Sequence, residues 1–309
     1  MLIIDITNKI LIGDILFNLR RFPSNSIKLT VTSPPFYKAR SYELEGQWGT
    51  EKTLDEYLSN IREFVFELHR ITKDDGYFAL NLGDVKINGD WAGIPENVIQ
   101  FAKEIGWYIV SKVVWIKSNK MPTSSPRGFS FQWEPFYLLA KSRKRVFHFE
   151  RVLLPAKTKT KKFNVRVRDS GKGKWDEIYQ ASKDEKNSHN AKGEKMQDNT
   201  IGSDGKPKGN YEGFNERYQH KELKRMSDVW IHSVSRLNRK GRRKHPAPFP
   251  DYIVEPFVKT CSDEGDLVLD PFSGIGTTCI VAKRLKRKYC GIELDPYWVK
   301  ESLKDLENV

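Results

Sequence analysis

Cysteine is scarce in these 309 residues: only Cys261, Cys279 and Cys290 occur. An odd count without metal-ligand spacing excludes a disulfide framework and a cysteine-based zinc site, and predicts reduced thiols in a cytoplasmic protein. No Pro-Cys dipeptide is present. Long hydrophobic runs are missing too: the first apolar stretch is broken at Asp5, and no run is long enough to cross a bilayer. Acidic residues are outnumbered, with 40 Asp and Glu against 53 Lys and Arg and a net charge of +13. That balance points to a polyanionic partner. The excess is local. Residues 141–245 hold 29 basic and 13 acidic residues, which leaves 24 basic and 27 acidic elsewhere.

On either side of the basic segment, strands and helices alternate, the pattern of a doubly wound α/β sheet. Ile10–Ile12 leads through Gly13 and Asp14 into a short helix with Ile15, Leu16 and Leu19. Ile27–Val31 alternates apolar and polar residues as a strand does. A helix follows over Leu54–Ile71, then a strand over Gly76–Leu82, a helix over Pro95–Ile105 and strands over Trp107–Ile116 and Trp133–Leu139. Between lies Lys38–Thr53, polar and glycine-containing, which reads as a mobile loop over a site. After the basic segment, Pro-rich residues 245–250 enter a helix over Asp251–Thr260. Strand Leu267–Leu269, a glycine loop, helix Cys279–Leu285, strand Lys288–Ile292 and a closing helix complete the chain. The expected organisation is a first α/β half at 1–140, an insert at 141–243 and a second α/β half at 244–309. The insert mixes basic residues with aromatics such as Phe163, Trp175, Tyr179 and Tyr211, which suits a nucleic-acid surface; its stretch 182–210 has the composition of disorder.

Two motifs stand out. The first is Thr32-Ser33-Pro34-Pro35-Phe36-Tyr37 at the end of a strand. Two prolines cannot donate backbone hydrogen bonds, so the chain leaves the sheet in a stiff turn. That turn offers the Ser33 hydroxyl, the Pro34 carbonyl and two rings, a combination able to accept from an amino group beside a flat ring. The second motif is Asp270-Pro271-Phe272-Ser273-Gly274-Ile275-Gly276-Thr277-Thr278 between a strand and a helix. Its glycines permit close backbone approach, and the helix start offers free N–H groups. Glu293 ends the next strand, where a carboxylate can accept both hydroxyls of a ribose. The loop is not G-x-G-x-x-G, nor is it followed by the Lys-Ser/Thr of a P-loop, which disfavours NAD and ATP.

These motifs, in this order and with the basic insert between them, resemble the DNA amino-methyltransferases of restriction–modification systems. More narrowly they resemble the circularly permuted group in which the catalytic motif comes first. The resemblance extends over residues 8–140 and 226–300. It implies a mostly parallel seven-stranded sheet with one antiparallel strand, S-adenosyl-L-methionine as methyl donor, and double-stranded DNA as substrate. It also leaves room for a companion restriction endonuclease acting on the same sequence and for a homodimer. Ser33, Pro34, Pro35 and Phe36 then take the catalytic positions, Phe36 stacking on the target base, with Tyr37 and Trp115 as weaker pocket candidates. The methyl donor's contacts fall on Asp270, Phe272, Gly274, Gly276, Thr277 and Glu293, with Asp14 and Phe249 at the edges. Asp14 reads equally as a helix cap.

The serine in Ser-Pro-Pro-Phe is associated with cytosine N4, whereas adenine-N6 enzymes more often have aspartate there. The expected reaction is therefore N4 methylation of a flipped-out cytosine within a short recognition sequence, with adenine N6 as the alternative. Cytosine C5 chemistry needs a cysteine nucleophile, which that group presents after proline, so the missing Pro-Cys disfavours it. Methylation of RNA or of a protein glutamine is disfavoured by motif order. A silent DNA-binding protein is disfavoured by the intact Ser33, Phe36 and Glu293.

Overall fold

The computed structural model describes residues 4–40, 44–118, 132–155, 166–168, 175–177, 223–232 and 250–309. The 182–210 stretch, the ring of Phe249 and most of the Pro-rich entry before the Asp251 helix lie outside them. Two compact units emerge, one formed by Met1–Val152 with Met226–Val309 and the other by Leu153–Arg225. The second unit falls within the expected insert. Its described residues form two short antiparallel pairings, Arg166–Arg168 with Trp175–Glu177 and Leu154–Pro155 with Leu223–Lys224.

The first unit is built on a sheet of eight strands: β1 (Lys9–Ile12), β2 (Ile27–Thr32), β3 (Thr72–Asn81), β4 (Tyr108–Lys117), β5 (Trp133–Ala140), β6 (Val229–His232), β7 (Leu267–Asp270) and β8 (Lys288–Glu293). Their order is β1-β8-β7-β2-β3-β5-β4-β6. Every pairing is parallel except those of β5, which runs antiparallel to both β3 and β4. The eighth strand, beyond the seven expected, is β6: four residues inside the expected 141–243 insert that belong to the first unit and pair with Val114–Lys117 at the edge. Its short length and Trp230 as its one buried side chain explain why no strand periodicity announces it.

Helices α1 (Ile15–Leu19), α2 (Leu54–Ile71) and α3 (Ile94–Ile105) pack on one face of the sheet. Helices α4 (Asp251–Cys261), α5 (Thr277–Arg284) and α6 (Pro296–Glu307) pack on the other. Helix α2 shows why the pattern works. Thr53 and Glu56 close a capping box at its start, and Tyr57, Ile61, Phe64, Val65, Leu68 and Ile71 recur on one buried stripe. Each such burial contributes about 1.5–3 kcal/mol before entropy is set against it. Strand β2 is buried at all six positions, as a central strand between two helical layers must be. Among the described residues no helix is long and apolar enough to cross a membrane.

Candidate active site

Because β1, β8, β7, β2 and β3 are consecutive and parallel, their carboxyl ends share one edge of the sheet. Open α/β sheets bind ligands at that edge. Gly13, Glu293, Asp270, Ser33 and Asn81 all sit there, at or just beyond a strand end. The Pro-Pro turn and the glycine loop leave adjacent strands. Glu293 is two strand spacings from β2, about 10 Å.

A buried bridge ties the two motifs together. Asp270 is 4% exposed. Its Oδ1 accepts from Thr32 Oγ1 at 2.6 Å and from Phe272 N at 3.1 Å, and its Oδ2 accepts from Thr278 Oγ1 at 2.7 Å. Thr32 directly precedes Ser33, so this carboxylate holds the start of the Pro-Pro turn against the start of the glycine loop. Burial pushes the Asp270 carboxyl up to about 6, with the three hydrogen bonds opposing that rise. Both of its oxygens are committed to the protein, which makes Asp270 a brace of the loop.

The turn itself is clamped from several sides. Ser33 Oγ donates to Asn81 Oδ1 at 2.9 Å, and Asn81 Nδ2 donates to the Pro135 carbonyl at 3.0 Å. Tyr57 Oη donates to the Pro35 carbonyl at 3.0 Å, and Lys38 N donates to the Gly49 carbonyl at 2.7 Å. Phe36 is partly buried, and its ring lies over Gly83: a Cβ at that position would fall 2.4 Å from the ring edge. Only glycine lets the ring stay there. The stretch read as a mobile loop is anchored at its far end, where buried Trp48 packs edge-on against Phe64 and Phe272 at centroid distances of 5.8 and 5.4 Å. Phe272 therefore joins the glycine loop to the segment that wraps the Pro-Pro turn.

On the glycine loop, Gly276 has φ +78° and comes so close to α6 that a Cβ would meet the Ser302 side chain at 2.9 Å. Glu293 Oε2 accepts from Gly274 N at 2.7 Å and Oε1 from Asp295 N at 2.9 Å. A carboxylate has about four acceptor sites, so two remain for a vicinal diol. Burial raises the Glu293 carboxyl above its ordinary value, against the pull of those N–H groups. Ser273 Oγ is buried with no hydrogen-bond partner among the described residues. Thr277 opens α5 immediately after this loop. The donor set and the close approach fit an adenosine-bearing ligand.

Other expected positions lie differently. Asp14 caps α1, its Oδ1 accepting from Phe17 N at 2.7 Å, at the end of the strand beside Glu293. Tyr37 is 3% exposed and packs on Tyr57 at 5.4 Å. Trp115 is also 3% exposed, in a core with Phe136, Trp230 and Phe257, under the Lys117 ammonium at 4.7 Å. Both rings are packed into the core. The three thiols are buried, and burial pushes Cys261 and Cys290 up to about 12, so neither presents a thiolate at neutral pH. Thr32 and Thr278 stand in the two motifs with no role read for them, and Asn81 lies outside both; the structure brings all three into the site.

The strand order, the glycine loop with its strand-end glutamate, and the Pro-Pro turn on the neighbouring strand together define a circularly permuted methyltransferase fold. The chain belongs to the N6/N4 DNA methylase family, which matches residues 27–304. The resemblance read from the motifs holds at that level. The Type II methyltransferase M.Cfr9I of Citrobacter freundii is 27% identical over 96% of this chain and 86% of its own length. The Type II methyltransferase M.MwoI of Methanothermobacter wolfeii is 26% identical over 98% of this chain, which spans about a third (34%) of that longer protein. Among solved structures, the PvuII DNA methyltransferase (cytosine-N4-specific) aligns with a TM-score of 0.63 at 20% identity, over 96% of this chain and 85% of its own. The M1.HpyAVI–SAM complex aligns with a TM-score of 0.54 at 16% identity, over 96% of this chain and 98% of its own.

Proposed function

We propose that this chain methylates the exocyclic N4 amine of a flipped-out cytosine within a short sequence of double-stranded DNA, with S-adenosyl-L-methionine as methyl donor. The observation that supports this best is the Thr32–Asp270–Thr278 bridge. It holds an acceptor-bearing turn beside the loop that would hold the donor. The likeness to a protein described as cytosine-N4-specific favours N4 over N6, as does a serine where a carboxylate would otherwise stand.

The bound donor supplies an electrophilic sulfonium methyl. The residues of the chain do the rest. Glu293 takes the ribose hydroxyls on its free acceptor sites, and Gly274 and Gly276 let the backbone come close. An exocyclic amine is a poor nucleophile because its lone pair is delocalised into the ring. Ser33 Oγ and the Pro34 carbonyl accept its two N–H bonds, draw the nitrogen toward tetrahedral geometry and aim the lone pair at the methyl group. The gain is chiefly one of positioning and preorganised electrostatics. Phe36, held by Gly83, stacks on the base, a contact worth about 1–3 kcal/mol. Extruding the base costs a few kcal/mol, which backbone contacts from the basic insert at 141–243 offset.

The test is to express the protein in a host lacking its own DNA methylation and to sequence that DNA for modified bases. N4-methylcytosine in one short repeated context is the expected outcome. N6-methyladenine in such a context would overturn the target assignment, and unmodified DNA from cells rich in soluble protein would overturn the activity.

A further inference from the structure

Ser33 can serve the proposed reaction only if its oxygen, not its proton, meets the amine. A free serine hydroxyl rotates and offers either. Here the rotation is settled by a side chain from another strand. Asn81 is the last residue of β3 and is 2% exposed. Its Nδ2 is 3.0 Å from the carbonyl of Pro135 on β5, which can only accept. The amide nitrogen must therefore face Pro135, and the amide oxygen must face Ser33. With that oxygen 2.9 Å away, the single proton of Ser33 is committed to Asn81. What remains on Ser33 Oγ is acceptor capacity alone.

We propose that Asn81 is a positioning residue that makes Ser33 an acceptor-only contact, so that the site takes an amino group and rejects an oxo group at the same ring position. A pyrimidine with a carbonyl in place of the amine would meet two acceptors, Ser33 Oγ and the Pro34 carbonyl, with no proton between them. Such a mismatch is costly because buried acceptors left facing one another regain no hydrogen bond. The same sheet edge thus provides both the reaction's acceptor and its discrimination. Asn81 never touches the substrate. The inference rests on the amine-transfer reading above and adds the means by which Ser33 is polarised.

A double-mutant cycle on the full chain with duplex DNA tests it. Asn81→Ala should lower the single-turnover methyl-transfer rate by about ten- to a hundredfold while leaving calorimetric S-adenosylmethionine affinity within about twofold. In a Ser33→Ala background the same substitution should cost less than about threefold more, because nothing is left to polarise. Rate losses that simply multiply would overturn the proposal, since Asn81 would then act through the sheet and not through Ser33. If Asn81→Ala does not fold, Asn81→Leu, close in volume and unable to hydrogen-bond, completes the same cycle with the same two readings. A parent protein that binds DNA and the methyl donor but transfers nothing would instead refute the proposed function.

Discussion

Replacing Asp270 by Asn separates the charge of that residue from its hydrogen bonds. The carboxyl is lifted from 3.8 to about 6 by burial, a displacement that corresponds to about 3 kcal/mol. For an acid whose folded value lies above its unfolded one, the stabilising contribution is full below the unfolded value and is lost as pH rises through the folded value. Asp270 should therefore cost the native protein about 3 kcal/mol between pH 4 and pH 7. Asparagine cannot ionise and avoids that loss. Its oxygen can keep the bonds from Thr32 and Phe272, and its nitrogen would face Thr278. The Thr278 hydroxyl can then accept from that nitrogen and turn its proton to the Val31 carbonyl, 3.5 Å away. The assay is urea unfolding of parent and Asp270→Asn at steps between pH 4.5 and 7.5. The variant should gain on the parent by about 2 kcal/mol across that range, because part of the loss is already present at pH 4.5. A difference that does not change with pH, or a parent that gains as pH rises, would refute the reasoning. Since Thr32 keeps its bond, methyl transfer by the variant should stay within about tenfold of the parent.

Phe36→Ala should slow methylation by about five- to a hundredfold with donor affinity nearly unchanged; equal loss of both, by single-turnover kinetics and calorimetry, would show the ring is not on the base. Gly83→Ala should act in the same direction, because its methyl group would displace the Phe36 ring. Glu293→Ala should weaken S-adenosylmethionine binding by about ten- to a hundredfold, as two acceptor sites for hydroxyls and the brace on Gly274 N disappear together. Burial raises the Glu293 carboxyl above 4.5, so donor affinity in the parent should decline on acidification before that pH is reached; an unchanged affinity down to pH 4.5 contradicts its role. Changing Lys157, Lys159, Lys161 and Lys162 to Gln should weaken DNA binding and flatten its dependence on salt, the slope falling by up to about one for each phosphate no longer neutralised. An unchanged slope would place the DNA elsewhere.

What could be read from the amino acids alone follows from where the information lies. The Leu54–Ile71 helix has its apolar stripe within its own 18 residues and its cap at the adjoining Thr53, and it forms over those residues. Ser33 and Glu293 stand out in the sequence because each lies at the end of an apolar strand, and the structure places both at the carboxyl edge of the parallel strands. Tyr37 and Trp115 show the limit of that reasoning. An aromatic residue beside a functional turn looks the same in sequence whether its ring faces the ligand or the core, and here both rings face the core. The glycine-containing loop before α2 looked free for the same reason: nothing local announces that Trp48 will meet Phe272, a residue more than two hundred positions later.

The residues whose roles motif reading did not supply share one property. Thr32 is 238 positions from its partner Asp270, and Asn81 is 48 from Ser33 and 54 from Pro135. Their roles arise only once β7 lies beside β2 and β3 lies between β2 and β5. Motifs mark groups that must be chemically reactive or conformationally unusual, such as a Pro-Pro turn or a glycine at positive φ. They do not mark groups that give a reactive neighbour its orientation, because an Asn or a Thr at the end of a buried strand satisfies ordinary strand patterning whichever way its hydrogen bonds run. Here direction is the functional variable. Asp270 receives protons from two threonines, Asn81 receives one from Ser33, and Ser33 is left to receive the next. Both sets of bonds meet the same sheet edge, and in the proposed reaction the acceptor left open on Ser33 is the one an amine completes.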